Sequence, residues 1–68
     1  MVEIVFLVEE DSDGGFTARA AGVSIFTQGD DIDSLKDNVR DAVRCHFDEA
    51  DRPKLIRLHW VRDEVIAA

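Results

Sequence analysis

The stretch that decides the fold is residues 27–51, TQGDDIDSLKDNVRDAVRCHFDEAD. Its apolar residues recur at helical spacing and would form one stripe along a helix. The members of this stripe are Ile32, Leu35, Val39, Ala42, Val43, His46 and Phe47. Asp31 can cap the first free N–H groups, and Asp33 places negative charge near the positive end of the helix dipole. The stretch therefore predicts an amphipathic helix that is capped at Asp31, carries an apolar stripe of about four turns from Ile32 to Phe47, and ends near Asp51.

Two segments rich in β-branched, aromatic and leucine residues flank this region. They are residues 2–9, VEIVFLVE, and residues 54–62, KLIRLHWVR, and both have the composition of strands. Pro53 cannot continue the helix and marks the return to extended chain. These two segments are therefore predicted to be the first and last strands of the domain, with the other elements between them in sequence.

Two further strands are predicted between the first strand and the helix. Residues 10–15, EDSDGG, have the composition of a hairpin loop, with two glycines available for positive φ. Residues 16–21 and 23–28 are short extended runs separated by Gly22. The predicted order of elements is β-β-β-α-β.

This order fixes a topology. Tight turns make the first three strands antiparallel, and a right-handed crossover through the helix places the fourth strand parallel to the first. The sequence predicts a single α+β domain over residues 1–68, with a four-stranded, mostly antiparallel sheet of order 3-2-1-4 and one helix on one face. The second face would be bare and apolar, which is typical of an interface, and a homodimer is the simplest way to cover it. The residues predicted for this oligomer interface are Val5, Leu7, Phe26 and Trp60.

The size and charge of the chain restrict its partners. A domain of 68 residues buries only about 60% of its unfolded surface, which favours an oligomer. The net charge is −7, from 15 acidic and 8 basic side chains. A chain of this charge is repelled by phosphate backbones, so no direct nucleic-acid binding is expected. It would be attracted to a basic protein.

The sequence also bears on the compartment. Cys45 is the only cysteine, so no disulfide forms within the chain and a reducing compartment is expected. There is no signal-peptide pattern and no apolar run long enough to span a membrane. The predicted location is the cytoplasm.

The sequence offers few residues for a catalytic or metal site. His46 on the helix and His59 on the last strand, with or without Cys45, could form an acid–base pair or part of a zinc site. Structural zinc sites use four ligands in paired spacing, which this chain lacks, so packing roles are favoured for both histidines. A small histidine-dependent hydrolase or nuclease remains an alternative function.

The loop sequence Asp11-Ser12-Asp13-Gly14 suggests a calcium loop, but its spacing is wrong. An EF-hand needs glycine at the sixth loop position and glutamate at the twelfth, where this chain has Phe16 and Gly22. Nucleotide-binding loops and serine-nucleophile motifs are absent from the sequence. No catalytic residue, metal ligand or cofactor is therefore predicted, and the protein is expected not to be an enzyme.

Several short motifs carry a family resemblance. They are Val8-Glu9-Glu10, then Asp13-Gly14-Gly15-Phe16-Thr17-Ala18, then Phe26-Thr27-Gln28-Gly29-Asp30, all before an amphipathic helix. In this order they resemble the HicB-like antitoxin family. The end of the chain, residues 57–65, RLHWVRDEV, is similar to a subgroup of short, solitary HicB-like chains.

The resemblance implies a partial RNase H-like fold without nuclease activity. It also implies oligomerisation and, in two-component systems, neutralisation of a small basic HicA-type mRNA interferase. The sequence departs from the family in two ways. Residues 1–68 include no helix-turn-helix or ribbon-helix-helix segment of the kind that the family commonly carries at its C-terminus, and Ala20-Ala21-Gly22-Val23-Ser24-Ile25 replaces the family's proline-glycine-cysteine element.

Charge predicts which residues would contact a basic partner. The candidates are the loop acids and the acids at the start of the helix: Glu9, Glu10, Asp11, Asp13, Asp30, Asp31 and Asp33. A solitary domain that only associates with itself is a further alternative, because a bare apolar face would serve either purpose.

Overall fold

A computed structural model describes residues 2–68. Its elements are β1 (Glu3–Glu10), β2 (Phe16–Ala20), β3 (Phe26–Gly29), α1 (Ile32–His46) and β4 (Leu55–Val61). The four strands form one sheet of order β3-β2-β1-β4, in which β1 is antiparallel to β2 and parallel to β4. The predicted α+β fold, with one helix and this strand order, is confirmed.

The core lies between the sheet and α1. Because side chains alternate along a strand, Ile4, Phe6 and Val8 of β1 all point toward the helix and are buried. Leu35 and Val39 meet them from α1 and are also buried. The buried residues form one cluster, which also includes Ala18, Ala20, Ile25 and Val43.

The start of α1 is fixed by a reciprocal cap. The Ser34 N–H donates to Asp31 Oδ1 at 2.7 Å, and the Asp31 N–H donates to Ser34 Oγ at 3.2 Å. These bonds satisfy donors that the first turn leaves free. The hydrogen bond from the Ser34 N–H, followed by that from its hydroxyl, holds the pKa of Asp31 below its usual value. The predicted cap is therefore present.

The helix ends earlier than predicted, at His46 rather than near Asp51. Phe47 has an extended backbone and caps the helix, with its N–H donating to the Val43 carbonyl at 3.1 Å. Its side chain packs against the core from that position. Packing of Phe47 thus ends the helix at His46, before Pro53 could do so. The His46 side chain is exposed rather than part of the buried stripe.

The third strand begins at Phe26, three residues later than predicted. The preceding residues form an irregular connection in which Gly22 has φ +80°. The Ala21 N–H donates to the Val5 carbonyl, and the Ala20 N–H donates to the Ile25 carbonyl, both at 2.9 Å. These bonds hold the connection against the sheet, so its β-branched residues do not form a strand.

Candidate functional site

The hairpin loop between β1 and β2 is held by its own backbone. The Asp11 N–H donates to the Gly15 carbonyl at 2.9 Å, and the Gly14 N–H donates to the Asp11 carbonyl at 3.0 Å. Asp11 Oδ1 accepts from the Asp13 N–H at 3.1 Å. Positive φ at Gly14 and Gly15 permits this tight path. The loop therefore presents its carboxylates in a defined arrangement.

The predicted loop acids and helix-start acids lie at one end of the sheet. Both β1 and β3 are antiparallel to β2, so their C-terminal ends coincide. A Cβ built on Gly15 would lie 2.8 Å from the Gly29 carbonyl oxygen and 3.4 Å from Asp30 Cα. The hairpin and the entry to α1 are thus in direct backbone contact. We call this surface the acidic end; it consists of Glu9, Glu10, Asp11, Asp13, Asp30, Asp31 and Asp33.

The acidic end has little opposite charge to balance it. The ion pairs within residues 2–68 are Arg40–Asp37 at 2.8 Å, Arg44–Asp41 at 3.5 Å and Arg57–Glu3. None of these pairs includes a carboxylate of the acidic end. The strand β4 also finishes here and is followed by Arg62, Asp63 and Glu64, so one cation lies beside these carboxylates. The acids are therefore available to an external cation.

The second candidate surface is the open face, which we define as the sheet residues that point away from α1. Its central row runs across all four strands through Phe26, Arg19, Leu7 and His59. Val5 lies beside Leu7 on the same face. Phe26 is 65% exposed, and Leu7 is half-buried. Three of the four predicted interface residues, Val5, Leu7 and Phe26, thus share one surface.

Trp60 does not belong to the open face. It pairs with Val8 of β1, so it points to the helix side of the sheet. Its ring meets Phe16 edge to face, with centroids 5.6 Å apart. Its grouping with Val5 and Leu7 is wrong because odd and even positions of a strand point to opposite faces.

The two histidines are not brought together. His59 lies on the open face, where it pairs with Leu7 of the neighbouring strand. His46 lies at the end of α1, on the other side of the sheet. The centroid of its ring is 4.9 Å from that of Phe47. Within residues 2–68 there is no cluster of three or more His, Cys, Asp or Glu side chains arranged to hold a metal ion. One chain therefore does not place both imidazoles beside a common cleft.

A groove between α1 and β4 is not among the sites predicted from the sequence. The helix packs mainly over β3 and β2, so part of the helix side of β4 is uncovered. The groove floor consists of Val39, Val43, Ile56 and Leu58.

Basic side chains line the same groove, and we call it the basic groove. They are Lys36, Arg40, Arg44, Arg52 and Lys54. Lys36, Arg40 and Arg44 recur at i, i+4 spacing, which places them on one side of a helix. This spacing is the feature of the sequence that could have indicated the groove. The chain thus concentrates five of its eight cations there.

Comparisons with known proteins identify the family. A UPF0150 protein of Archaeoglobus fulgidus is 60% identical to this chain over 52 residues, which cover 76% of this chain and 77% of that protein. A UPF0150 protein of Thermotoga maritima is 46% identical over 65 residues, which cover 96% and 91% of the two chains. The chain belongs to the UPF0150 family.

This UPF0150 chain matches no family model and no solved structure. Across residues 2–68, its single helix lacks the length and apolar character needed to cross a membrane. The Thermotoga relative corresponds to it over nearly the full length of both chains.

Proposed function

We propose that this UPF0150 protein is a non-enzymatic, HicB-like module of the antitoxin type, which acts in the cytoplasm by binding a small basic protein. The acidic end is the observation that carries the proposal. Its carboxylates come from two separate segments, yet they converge on one end of the sheet and have no ion-pair partner among residues 2–68. A basic surface brought to this end would meet a preformed set of acceptors.

The architecture supports the same proposal. The element order β-β-β-α-β with strand order 3-2-1-4 is the arrangement that the HicB resemblance implies. On that analogy the basic partner would be a small RNase toxin that the module neutralises. The separation of His46 and His59 by the sheet favours this binding role over a histidine-dependent hydrolase.

Electrostatics predicts how such a complex would behave. Complementary charge raises the rate at which two proteins meet and discriminates against acidic partners. Salt screens exposed charges, with a Debye length of about 8 Å at physiological ionic strength. Binding should therefore weaken as salt concentration rises.

Charge reversal in the hairpin tests the proposal. The double variant D11K/D13K is expected to bind the basic partner at least about tenfold more weakly, because attraction at the acidic end becomes repulsion. The tagged protein would first be used to isolate a small basic protein from native lysate. Affinity and inhibition of any RNase activity would then be measured with the purified pair.

The matched control is D48K/E49K, which makes the same change in net charge in the turn after α1, away from the acidic end. It should bind within about twofold of the parent protein. Recovery of no small basic protein, or equal affinity of D11K/D13K and the parent, would contradict the proposal.

The open face supports self-association of the module. We propose that a homodimer covers it, because Phe26 is 65% exposed there beside half-buried Leu7 and Val5. The variant F26D is expected to raise the dissociation constant of this dimer about tenfold or more, since the apolar ring is lost from the interface and a charged carboxylate would have to be desolvated there. Sedimentation equilibrium measures the change. The control I32D alters an exposed apolar residue on the helix side and should leave the constant unchanged; an equal effect of both variants would refute the interface.

A further inference from the structure

The basic groove has the composition of a site for an acidic and apolar segment. Its floor is apolar, with Val39 and Val43 buried and Ile56 and Leu58 half-buried. Cations line it both from the helix and from the connection into β4. A segment that carried carboxylates beside apolar side chains would match both features at once.

The groove also holds a donor without an acceptor. The Nε of Arg52 is buried and has no hydrogen-bond partner within the described part of the chain. Its terminal nitrogen makes one long contact, 3.5 Å, to the Arg44 carbonyl. Arg40 and Arg44 each contact one exposed aspartate, but a guanidinium has five N–H donors, so both keep capacity for another carboxylate.

The chain itself contains a segment with the matching chemistry. Residues 63–66, Asp-Glu-Val-Ile, follow β4 and have no regular secondary structure. Val65 is 95% exposed and Ile66 is 82% exposed. We call these four residues the acidic tail.

The position of the acidic tail is unfavourable for its charge. Asp63 and Glu64 border the same surface hollow as Glu9, Glu10 and Asp11, and Arg62 is the single cation in its lining against these five carboxylates. Like charges gathered at one site repel each other. Moving the tail to a site with several cations would relieve this repulsion. Burial of its two apolar side chains there would stabilise the bound position.

We propose that the acidic tail of one copy binds in the basic groove of a second copy. The dimensions agree. Four extended residues span about 13 Å, and the helical rise places Lys36 and Arg44 about 12 Å apart along α1. Val65 and Ile66 cover the apolar floor, while Asp63 and Glu64 meet the cations of the rim. The outer backbone edge of β4, the last strand of the sheet, is available to pair with the extended segment.

This association is separate from the binding of a basic partner and from the open-face dimer. It uses the helix side of β4, whereas the open-face dimer uses the opposite side of the sheet. The tail's acids contact cations of a second copy of the same protein. This association therefore does not need the small basic partner. Each proposal can therefore fail without the other.

Reciprocal charge exchange tests the inference in the full chain. The groove variant is R40E/K54E, with one change on each wall, and the tail variant is D63K/E64K. Each variant alone is expected to lose the tail-mediated association step, with at least a tenfold higher dissociation constant in sedimentation velocity. An equimolar mixture of the two should recover the parent's assembly. The unaltered tail of the groove variant then meets the unaltered groove of the tail variant, and in the reciprocal contact the tail lysines meet the two introduced glutamates.

Two controls make the result specific. The variant D13K/D30K changes net charge as D63K/E64K does, at the same end of the sheet but outside the hollow that borders the tail, and should assemble like the parent. The variant F26D should remove only the open-face step. Circular dichroism spectra of R40E/K54E and D63K/E64K should match the parent, and recovery in the mixture shows independently that both are folded.

Three outcomes would overturn the inference. The parent could show no association step sensitive to either variant. Both variants could assemble as the parent does. The mixture could fail to recover assembly although both chains are folded, which would mean that each tail binds its own chain or another acidic segment occupies the groove.

Discussion

Replacing Phe6 with alanine is expected to lower the free energy of unfolding by about 3–5 kcal/mol. Phe6 is fully buried and is the largest side chain of the core. It lies on β1, which is hydrogen-bonded to a neighbour on each side, so the sheet cannot easily close around the cavity. A 68-residue domain has a total stability of only about 3–10 kcal/mol. The variant should therefore lose a large part of the domain's stability and unfold at a much lower urea concentration than the parent.

Urea denaturation followed by circular dichroism measures this change. The control is V5A, on the same strand but half-buried on the open face; it should cost about 1 kcal/mol, because less apolar area is removed from the interior. Equal costs for F6A and V5A would show that the core is not centred on Phe6.

The second large effect is expected for Gly29→Ala. A Cβ at this position would lie 2.5 Å from the Leu35 nitrogen and 2.7 Å from its Cα. Both are backbone atoms in the first turn of α1, so the helix would have to move away from the sheet. We expect a loss of about 3 kcal/mol. Binding of a basic partner should also weaken, because Asp30 and Asp31 follow Gly29 directly.

Thermal and urea unfolding of G29A would be compared with those of G22A. The comparison isolates the steric part of the loss in the free energy of unfolding. Gly22 has φ +80° but open space around its Cα, so G22A should cost only about 1 kcal/mol for the backbone conformation. A cost for G29A no larger than that for G22A would mean that the helix yields easily at its start.

Local chemistry was sufficient to predict the elements and their order. The alternation of apolar side chains in β1 marks a strand with one fully buried face, and Asp31 marks the helix start. Tight turns and the crossover rule then leave few topologies. The end of α1 was not predictable in this way, because packing of Phe47 against the core decides it.

The candidate surfaces were predictable only in part. The acids of the acidic end were identified from charge, but their convergence depends on β3 running beside β2 to the level of Phe16. The basic groove depends on the lateral position of α1 over the sheet. Neither the spacing of the cations nor the helical stripe specifies that position, so the gap over β4 could not be foreseen.

The parallel pairing of β1 with β4 has a consequence for synthesis on the ribosome. β1 is the first strand to emerge and β4 is the last, yet their registered pairs run from Glu3 with Leu55 to Glu9 with Val61. Until β4 emerges, the nascent β1–β2–β3 meander has an unsatisfied backbone edge along its most apolar strand. Such an edge is a template for unwanted pairing. The domain therefore completes its sheet only late in translation, and its early segments need protection from other nascent chains during that interval.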